Sequence, residues 1–408
     1  MSVYTADAVT IADIEAARER IGADIRTTPI ITKDVLTRRV GVPVALKAEH
    51  MQHTGSFKIR GALNLLSQLD PDVRARGVVA ASAGNHAQGV AVAAARHDAR
   101  ATIFMPEDAT LSKVEATRGY GADVRLEGAQ LSETIEAARA WAADSGATFV
   151  HPFDDPRIIA GQGTLGLELL EQVPDMQTLV MPIGGGGLFC GVAAAVHAVR
   201  PEVRIIGVQS SACPSVASAL AAGHPVPVTP SPTMADGIAV KQPGALTFPM
   251  IQQHADEVVL VDDNELSAAM LWLIERAKQI QEGAGAASLA ALMSGKITPQ
   301  GSTVCVLSGG NIDPIALIPI IRHGLTTVGR FVRIETTVHD RPGELSRLLA
   351  LLAKLRVNIL AVEHRREGVN VAVGDTRIEM TLQTRNKEHV DHVRAELLTA
   401  GYEVHAIE

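Results

Sequence analysis

The stretch KAEHMQHTGSFKIRGA, Lys47–Ala62, decides how the rest of the chain is read. Lys58 lies between Phe57 and Ile59, where a polar turn gives way to helix-forming residues. A lysine that forms an imine must be neutral part of the time. Its ordinary pKa is ~10.4, so burial or neighbouring positive charge must lower it. The electropositive start of a helix disfavours the ammonium form in the same direction. Taken alone, the segment fits a surface helix lysine equally well, so its surroundings must decide.

Three further blocks supply those surroundings. Ser82-Ala83-Gly84-Asn85-His86-Ala87-Gln88-Gly89 follows a strand and opens a helix. Its backbone N–H groups suit a carboxylate, and Asn85 suits a ring hydroxyl. Gly184-Gly185-Gly186-Gly187-Leu188 follows the strand TLVMPI. A glycine run lets backbone wrap a phosphate without obstruction. No triplet there has the G-x-G-x-x-G spacing, and Gly295-Lys296 is followed by Ile297 rather than Ser or Thr. A single phosphate therefore fits better than a dinucleotide or a P-loop nucleotide. Ser308-Gly309-Gly310-Asn311 ends another strand. A hydroxyl there can pair with a pyridine nitrogen.

From about residue 10 to 320, β-rich runs alternate with Ala/Leu-rich helical segments. Strands are expected at Pro43–Lys47, Val78–Ser82, Ala101–Met105, Asp123–Leu126, Thr178–Met181, Val203–Val208 and Thr303–Leu307. Helices are expected at Gly61–Leu69, Ala87–Arg96, Leu131–Ala143 and Asn264–Gln281. This rhythm predicts an α/β fold with parallel-rich sheets. After Gly324 the register changes. Residues 324–330 read as a linker. Phe331–Val338 reads as a strand, followed by a helix begun by Pro342 and striped with leucines. The order then continues to Tyr402–Ile407 as βαββαβ, a ferredoxin-like arrangement.

In this order the four blocks resemble the tryptophan-synthase-β-like, fold type II enzymes of pyridoxal 5'-phosphate (PLP), and within them the threonine dehydratases. The resemblance covers residues ~5–320, and the TGSFKIRGA and SAGNHAQG segments carry most of it. It implies a two-subdomain catalytic domain over 1–323, with a smaller subdomain of roughly 50–150 inserted in the larger. It implies that Lys58 carries the PLP imine and acts as base. It places Phe57 and Asn85 at the ring, Gly184, Gly185, Gly186, Gly187 and Leu188 at the phosphate, and Ser308 at the pyridine nitrogen. Ser82, Ala83, Gly84 and His86 would surround the substrate carboxylate. The implied reaction takes threonine to 2-oxobutanoate and ammonia, with serine to pyruvate as a side activity. Serine racemase, a hydroxyaspartate or serine dehydratase, and a β-replacing enzyme are alternatives on the same fold. A silent amino-acid sensor is a further one.

Two departures matter. Serine racemases carry a second serine where this chain has Ala83, and a methyl group cannot shuttle a proton. Relatives that bind a divalent cation use carboxylates where Gln209 and Ser215 stand here. Hard cations want anionic oxygen, so no metal site is expected there. Glu282, in Gln-Glu-Gly-Ala-Gly, resembles a position near the active site and equally fits a helix-end carboxylate.

The segment VHDRPGEL, Val338–Leu345, resembles the start of an ACT domain, an amino-acid-sensing module, over residues 331–408. By that resemblance Gly343 and Asn358 meet an amino-acid effector. The same fold hosts RNA-binding domains. Residues 331–408, however, hold 11 Lys/Arg against 12 Asp/Glu, with Phe331 and Tyr402 as their only aromatics. Neither the charge nor the stacking rings needed for RNA are present.

Bulk properties agree. A net charge of −8 and 3% aromatics argue against nucleic acid as a partner. Cys190, Cys213 and Cys305 form no CxxC pair, which fits a reducing, cytoplasmic setting. The first twenty residues lack a basic and an apolar region, so neither a signal peptide nor a membrane partner is expected. A homodimer or homotetramer is expected. Isoleucine biosynthesis is the role that a branched-chain effector would suit.

Overall fold

A computed structural model describes residues 8–366 and 372–407. The N-terminal reading above falls partly on residues 1–7, which lie outside the described residues. Two compact units divide the chain, 1–313 and 314–408.

Among the described residues the first unit contains ten strands: β1 (Ile30–Thr32), β2 (Val44–Ala48), β3 (Val78–Ala81), β4 (Ala101–Met105), β5 (Asp123–Leu126), β6 (Thr148–Phe149), β7 (Thr178–Pro182), β8 (Arg204–Ser210), β9 (Glu257–Val261) and β10 (Thr303–Leu307). They form a six-stranded sheet ordered β1-β2-β10-β7-β8-β9 and a four-stranded sheet ordered β5-β4-β3-β6. Only β1 runs antiparallel to its neighbour. Strands β3, β4, β7 and β10 are buried along their whole length, as parallel strands covered on both faces must be. The C-terminal ends of β2, β10 and β7 share one edge, so the turns that follow them converge.

The helix Lys58–Ser67 and the helix Gly187–Val199 both pack on a central helix, Pro156–Gln172. Asp155 caps that helix by accepting from Arg157 N at 2.8 Å, and Pro156 opens it. Glycines allow the close crossings. A Cβ on Gly161 would lie 2.6 Å from Arg60 O, and one on Gly191 would lie 2.2 Å from Ile159 O. Gly191→Ala is expected to cost roughly 1–3 kcal/mol, because backbone must move to admit the methyl. Gly119→Ala, where a Cβ meets nothing within 4 Å, should be neutral or slightly stabilising. Denaturant unfolding of the two variants checks the contrast.

A buried charge cluster also pins the Lys58 helix. Arg60 donates to both carboxylate oxygens of Glu49 at 2.8 and 2.9 Å, and to Glu168 at 2.7 Å. Lys47 donates to Glu168 at 2.6 Å, to Thr28 O at 2.7 Å and to Gln172 at 2.7 Å. Arg60, Lys47 and Glu49 are all fully buried. Two cations and two anions cancel, and every Lys47 proton has an acceptor, which is what such burial requires.

The helix expected over Asn264–Gln281 stops sooner. It runs Asp263–Trp272, widens into a π turn at Leu273–Ala277, and ends on Lys278 at φ 60°. The chain leaves helix there, so Gln281 and Glu282 turn toward the edge of the six-stranded sheet rather than along a helix surface.

In the second unit the helix Pro314–Thr327 precedes β11 (Phe331–His339), the helix Glu344–Lys354, β12 (Asn358–Arg365), β13 (Asp375–Gln383), the helix Lys387–Thr399 and β14 (Val404–Ile407). The antiparallel sheet is ordered β12-β13-β11-β14. Of the stretch 324–330, the first four residues are the end of the helix Pro314–Thr327. Thr326 and Thr327 bond their hydroxyls to the carbonyls of Arg322 and His323, which lets both sit in helix. Pro342 lies in the turn before the next helix. Gly343, at φ 97°, is the residue that starts it.

Candidate active site

Lys58 is the first residue of its helix, and Phe57 N–H donates to Ser308 O at 3.2 Å. The turn after β2 is thereby tied to the turn after β10. The Lys58 amine donates to Pro152 O at 2.9 Å and lies 5.2 Å from the Phe57 ring centroid. Burial of the amine pushes its pKa down to about 8, and Glu282 partly opposes the shift.

The four glycines follow β7 and open the helix Gly187–Val199. Gly186 stands at φ 101°, where a side chain would be strained. A Cβ on Gly185 would strike the Phe153 ring at 2.3 Å. The Gly185 carbonyl accepts from Thr247 Oγ1 at 2.6 Å. Leu188, buried, is the second residue of the helix. The result is a backbone turn at a helix N-terminus, whose first N–H groups have no intrahelical acceptor.

Asn85 opens the helix Asn85–Arg96 after β3. Its Nδ2 donates to Glu282 Oε1 at 2.7 Å, and its Oδ1 accepts from Asn311 Nδ2 at 2.8 Å. Glu282 stands just before the helix Gly283–Met293 but does not cap it. Burial and Asp236 raise its carboxyl to about 7. Of the two readings left open for Glu282, the helix-end one is replaced by a contact across the site.

Ser82, Ala83 and Gly84 form the turn ahead of Asn85, with Gly84 N–H donating to Ser82 Oγ at 3.1 Å. His86 is the second residue of the helix Asn85–Arg96. Its Nε2 is 2.9 Å from Val150 O, and a carbonyl only accepts, so the proton sits on Nε2. Burial and Lys58 lower its pKa to about 3, so the ring is neutral. Nδ1 then carries the lone pair, and the Nε2–H bond to Val150 fixes the ring at the start of the helix.

A segment that the motif reading passed over joins these parts. His151 Nδ1 accepts from Phe153 N and Asp154 N. Pro152 O receives the lysine, and Phe153 fills the space above Gly185 and Gly187. Asp154 accepts from Ala245, Leu246 and Thr247 N–H, capping the helix Thr247–His254. The signal in the sequence was HPFDD before a proline-opened helix: an aromatic followed by two acidic caps.

Gln209 accepts from Val216 and Ala217 N–H and lies 3.4 Å from Ser215 Oγ, so these side chains serve a helix start. In the second unit Gly343 and Asn358 are exposed, and Asn358 donates to Gln383 at 3.0 Å.

Residues 21–309 match the family model "Pyridoxal-phosphate dependent enzyme", and residues 332–397 match the ACT domain. The chain is 46% identical over 400 residues to an L-threonine ammonia-lyase of Thermotoga maritima, covering 98% of this chain and all of that one. It is 45% identical over 390 residues to an L-threonine ammonia-lyase of Geobacter sulfurreducens, covering 95% and 97%. Among solved structures, the processed form of threonine deaminase isoform 2 from Solanum lycopersicum is 35% identical at a TM-score of 0.74, covering 77% of this chain and 86% of that one. A maize serine racemase is also 35% identical at 0.74, covering 78% and 98%. The chain thus belongs to the pyridoxal-phosphate dependent enzyme family, within its threonine ammonia-lyases that carry a C-terminal ACT domain.

Proposed function

We propose that the chain converts L-threonine to 2-oxobutanoate and ammonia, with L-serine as a second substrate. The observation that carries this reading is the Lys58 amine. It is lowered to about 8 and shares one sheet edge with a glycine turn at a helix N-terminus. PLP fits the residues present. The glycine turn leaves backbone N–H groups uncovered by side chains, and Phe153 fills the far side where any Cβ would intrude. Ser308, 3% exposed, ends β10 beside Phe57 and would face a pyridine nitrogen.

When bound, PLP supplies an electron sink for the pair left on Cα. The protein supplies the rest. Lys58 takes the Cα proton, which its lowered pKa suits near neutral pH. The Gly184–Gly187 turn and Leu188 hold the phosphate. The turn Ser82–Gly84 and the helix N–H groups after it orient the carboxylate. Asn85 meets the ring oxygen. Glu282, near 7, is a second site beside Lys58 that holds or gives up a proton around neutrality. Ala83 offers no group for returning a proton to the opposite face, which favours elimination over racemisation despite the likeness to serine racemase.

The test is a panel of L-threonine, L-serine and D-serine with added PLP, read as 2-oxo acid and by chiral analysis. Net D-serine formation without 2-oxo acid would overturn the reading. The lysine adds a pH prediction. The amine is neutral above its pKa, so the cofactor-free protein should react with added aldehyde slowly near pH 6 and rapidly near pH 9. Its midpoint is expected at about 8 rather than above 10. Glu282→Gln removes a carboxylate that raises this pKa, so the midpoint should fall, by up to about one pH unit. Absorbance of the protein–PLP imine follows both.

For the second unit we read a regulatory role, in which an amino acid meets Gly343 and Asn358 in a homodimer or homotetramer. A branched-chain effector would suit isoleucine biosynthesis in the cytoplasm. Repeating the panel with each branched-chain amino acid tests this.

A further inference from the structure

Asn311 has no role in the reading above, yet it sits where the polarity of the site is decided. Its Nδ2 lies 2.7 Å from Thr54 O, 2.8 Å from Asn85 Oδ1 and 3.2 Å from Gln88 Oε1. A main-chain carbonyl only accepts, so the amide end facing Thr54 must be the donor. That fixes the orientation of Asn311 without reference to any other side chain. Asn85 must then turn its oxygen toward Asn311, because two NH2 groups at 2.8 Å would repel. The Asn85 Nδ2 is left facing Glu282 Oε1 at 2.7 Å, with one further N–H to give.

The turn around Asn311 is built for this contact. Gly55 stands at φ 70°, and a Cβ there would lie 2.2 Å from Asn311 Oδ1. Gly310 N–H donates to Gly55 O at 2.9 Å, and Ser56 bridges to Gly309. The backbone on both sides of the amide is thus locked, and one of those sides leads directly into Phe57 and Lys58.

We infer that Asn311 is a positioning residue that sets the orientation of the Asn85 amide, and so decides that a donor rather than an acceptor faces the bound cofactor. This rests on the reading that Asn85 meets the ring oxygen of PLP. Without Asn311, either end of the Asn85 amide can face Glu282, since a carboxyl near 7 both donates and accepts around neutrality. The cofactor would then meet a mixture of donor and acceptor.

The experiment is a spectral pH titration of the PLP-loaded protein, comparing the parent with Asn311→Leu, Asn311→Ser and Asn85→Ala. Loss of a donor at the ring oxygen changes the proton affinity of the chromophore. Asn311→Leu should therefore shift the midpoint of the visible band in the same direction as Asn85→Ala, by about one pH unit for loss of a hydrogen bond of about 1.4 kcal/mol. Should Asn311→Leu not fold, Asn311→Ser serves instead. Its hydroxyl ends short of the Nδ2 position that meets both Thr54 O and Asn85 Oδ1, so it cannot direct Asn85 and the same shift is expected. A folded Asn311 variant that titrates like the parent while Asn85→Ala shifts would overturn the inference. A parent protein that binds PLP without any visible band would instead overturn the underlying reading of Lys58. A parent that titrates normally, with no shift in Asn85→Ala either, would remove the cofactor contact of Asn85 and the inference with it.

Discussion

Lys58→Ala is expected to lower 2-oxobutanoate formation from L-threonine by roughly 10²–10⁴-fold through loss of the proton-accepting amine alone. Loss of the covalent tether should add to this, so activity should approach background. The same variant should lose any visible band that borohydride reduces in the parent. Its fold should survive. The amine makes one hydrogen bond, to Pro152 O, and burying it costs more as a cation than as a methyl. Unfolding by denaturant and the 2-oxo-acid assay should therefore separate, with stability kept or raised and turnover lost. A Lys58→Ala protein with near-parental turnover would sink the assignment of the whole site.

Arg60→Met is expected to do the opposite. It should destabilise the protein by about 3–5 kcal/mol, because removing one partner leaves buried charge uncompensated. Methionine keeps the bulk of the side chain, so the loss is electrostatic rather than a cavity. Glu49, fully buried, now relies on Arg60 to hold its carboxyl below the ordinary range against desolvation. Glu168 would keep only Lys47. The measurement is the denaturant midpoint near neutral pH. Partial recovery of stability at acid pH, where Glu49 can take a proton, would mark the cause as charge. A loss below about 1 kcal/mol, the level of an exposed pair, would show that water reaches the cluster.

The sequence made several of these features legible and hid others, for physical reasons. Ala101–Met105 and Thr303–Leu307 were bounded correctly, because buried parallel strands read as short apolar runs between turns. Asp123–Leu126 has the same bounds in sequence and structure although only Val124 in it is buried. Strand β9 escaped among helical segments, and β1 and β6, of three and two residues, are too short for any pattern. The central helix Pro156–Gln172 was not singled out, since Gly161, Gly163 and Gly166 depress helix propensity. Packing, not propensity, makes it a helix. At the site, Lys58, Asn85, the four glycines and Ser308 stood out as residue types at strand ends. His151–Asp155 did not, because its work is done by a carbonyl, a ring and two caps. The tautomer of His86 was hidden too. A histidine's tautomer depends on which carbonyl folding brings to it, here Val150.

The glycine crossings on the central helix bear on heat and motion. Side chains hop between rotamers in picoseconds to nanoseconds, so spacings set by interlocked side chains widen as rotamers are populated. Backbone against backbone has no rotamers to redistribute. The gap between the backbone that starts the Lys58 helix and the glycine turn is thus set by main-chain dimensions, like the jaws of a caliper clamped to one bar. Warming below the unfolding transition can loosen the surface side chains while leaving that gap nearly constant.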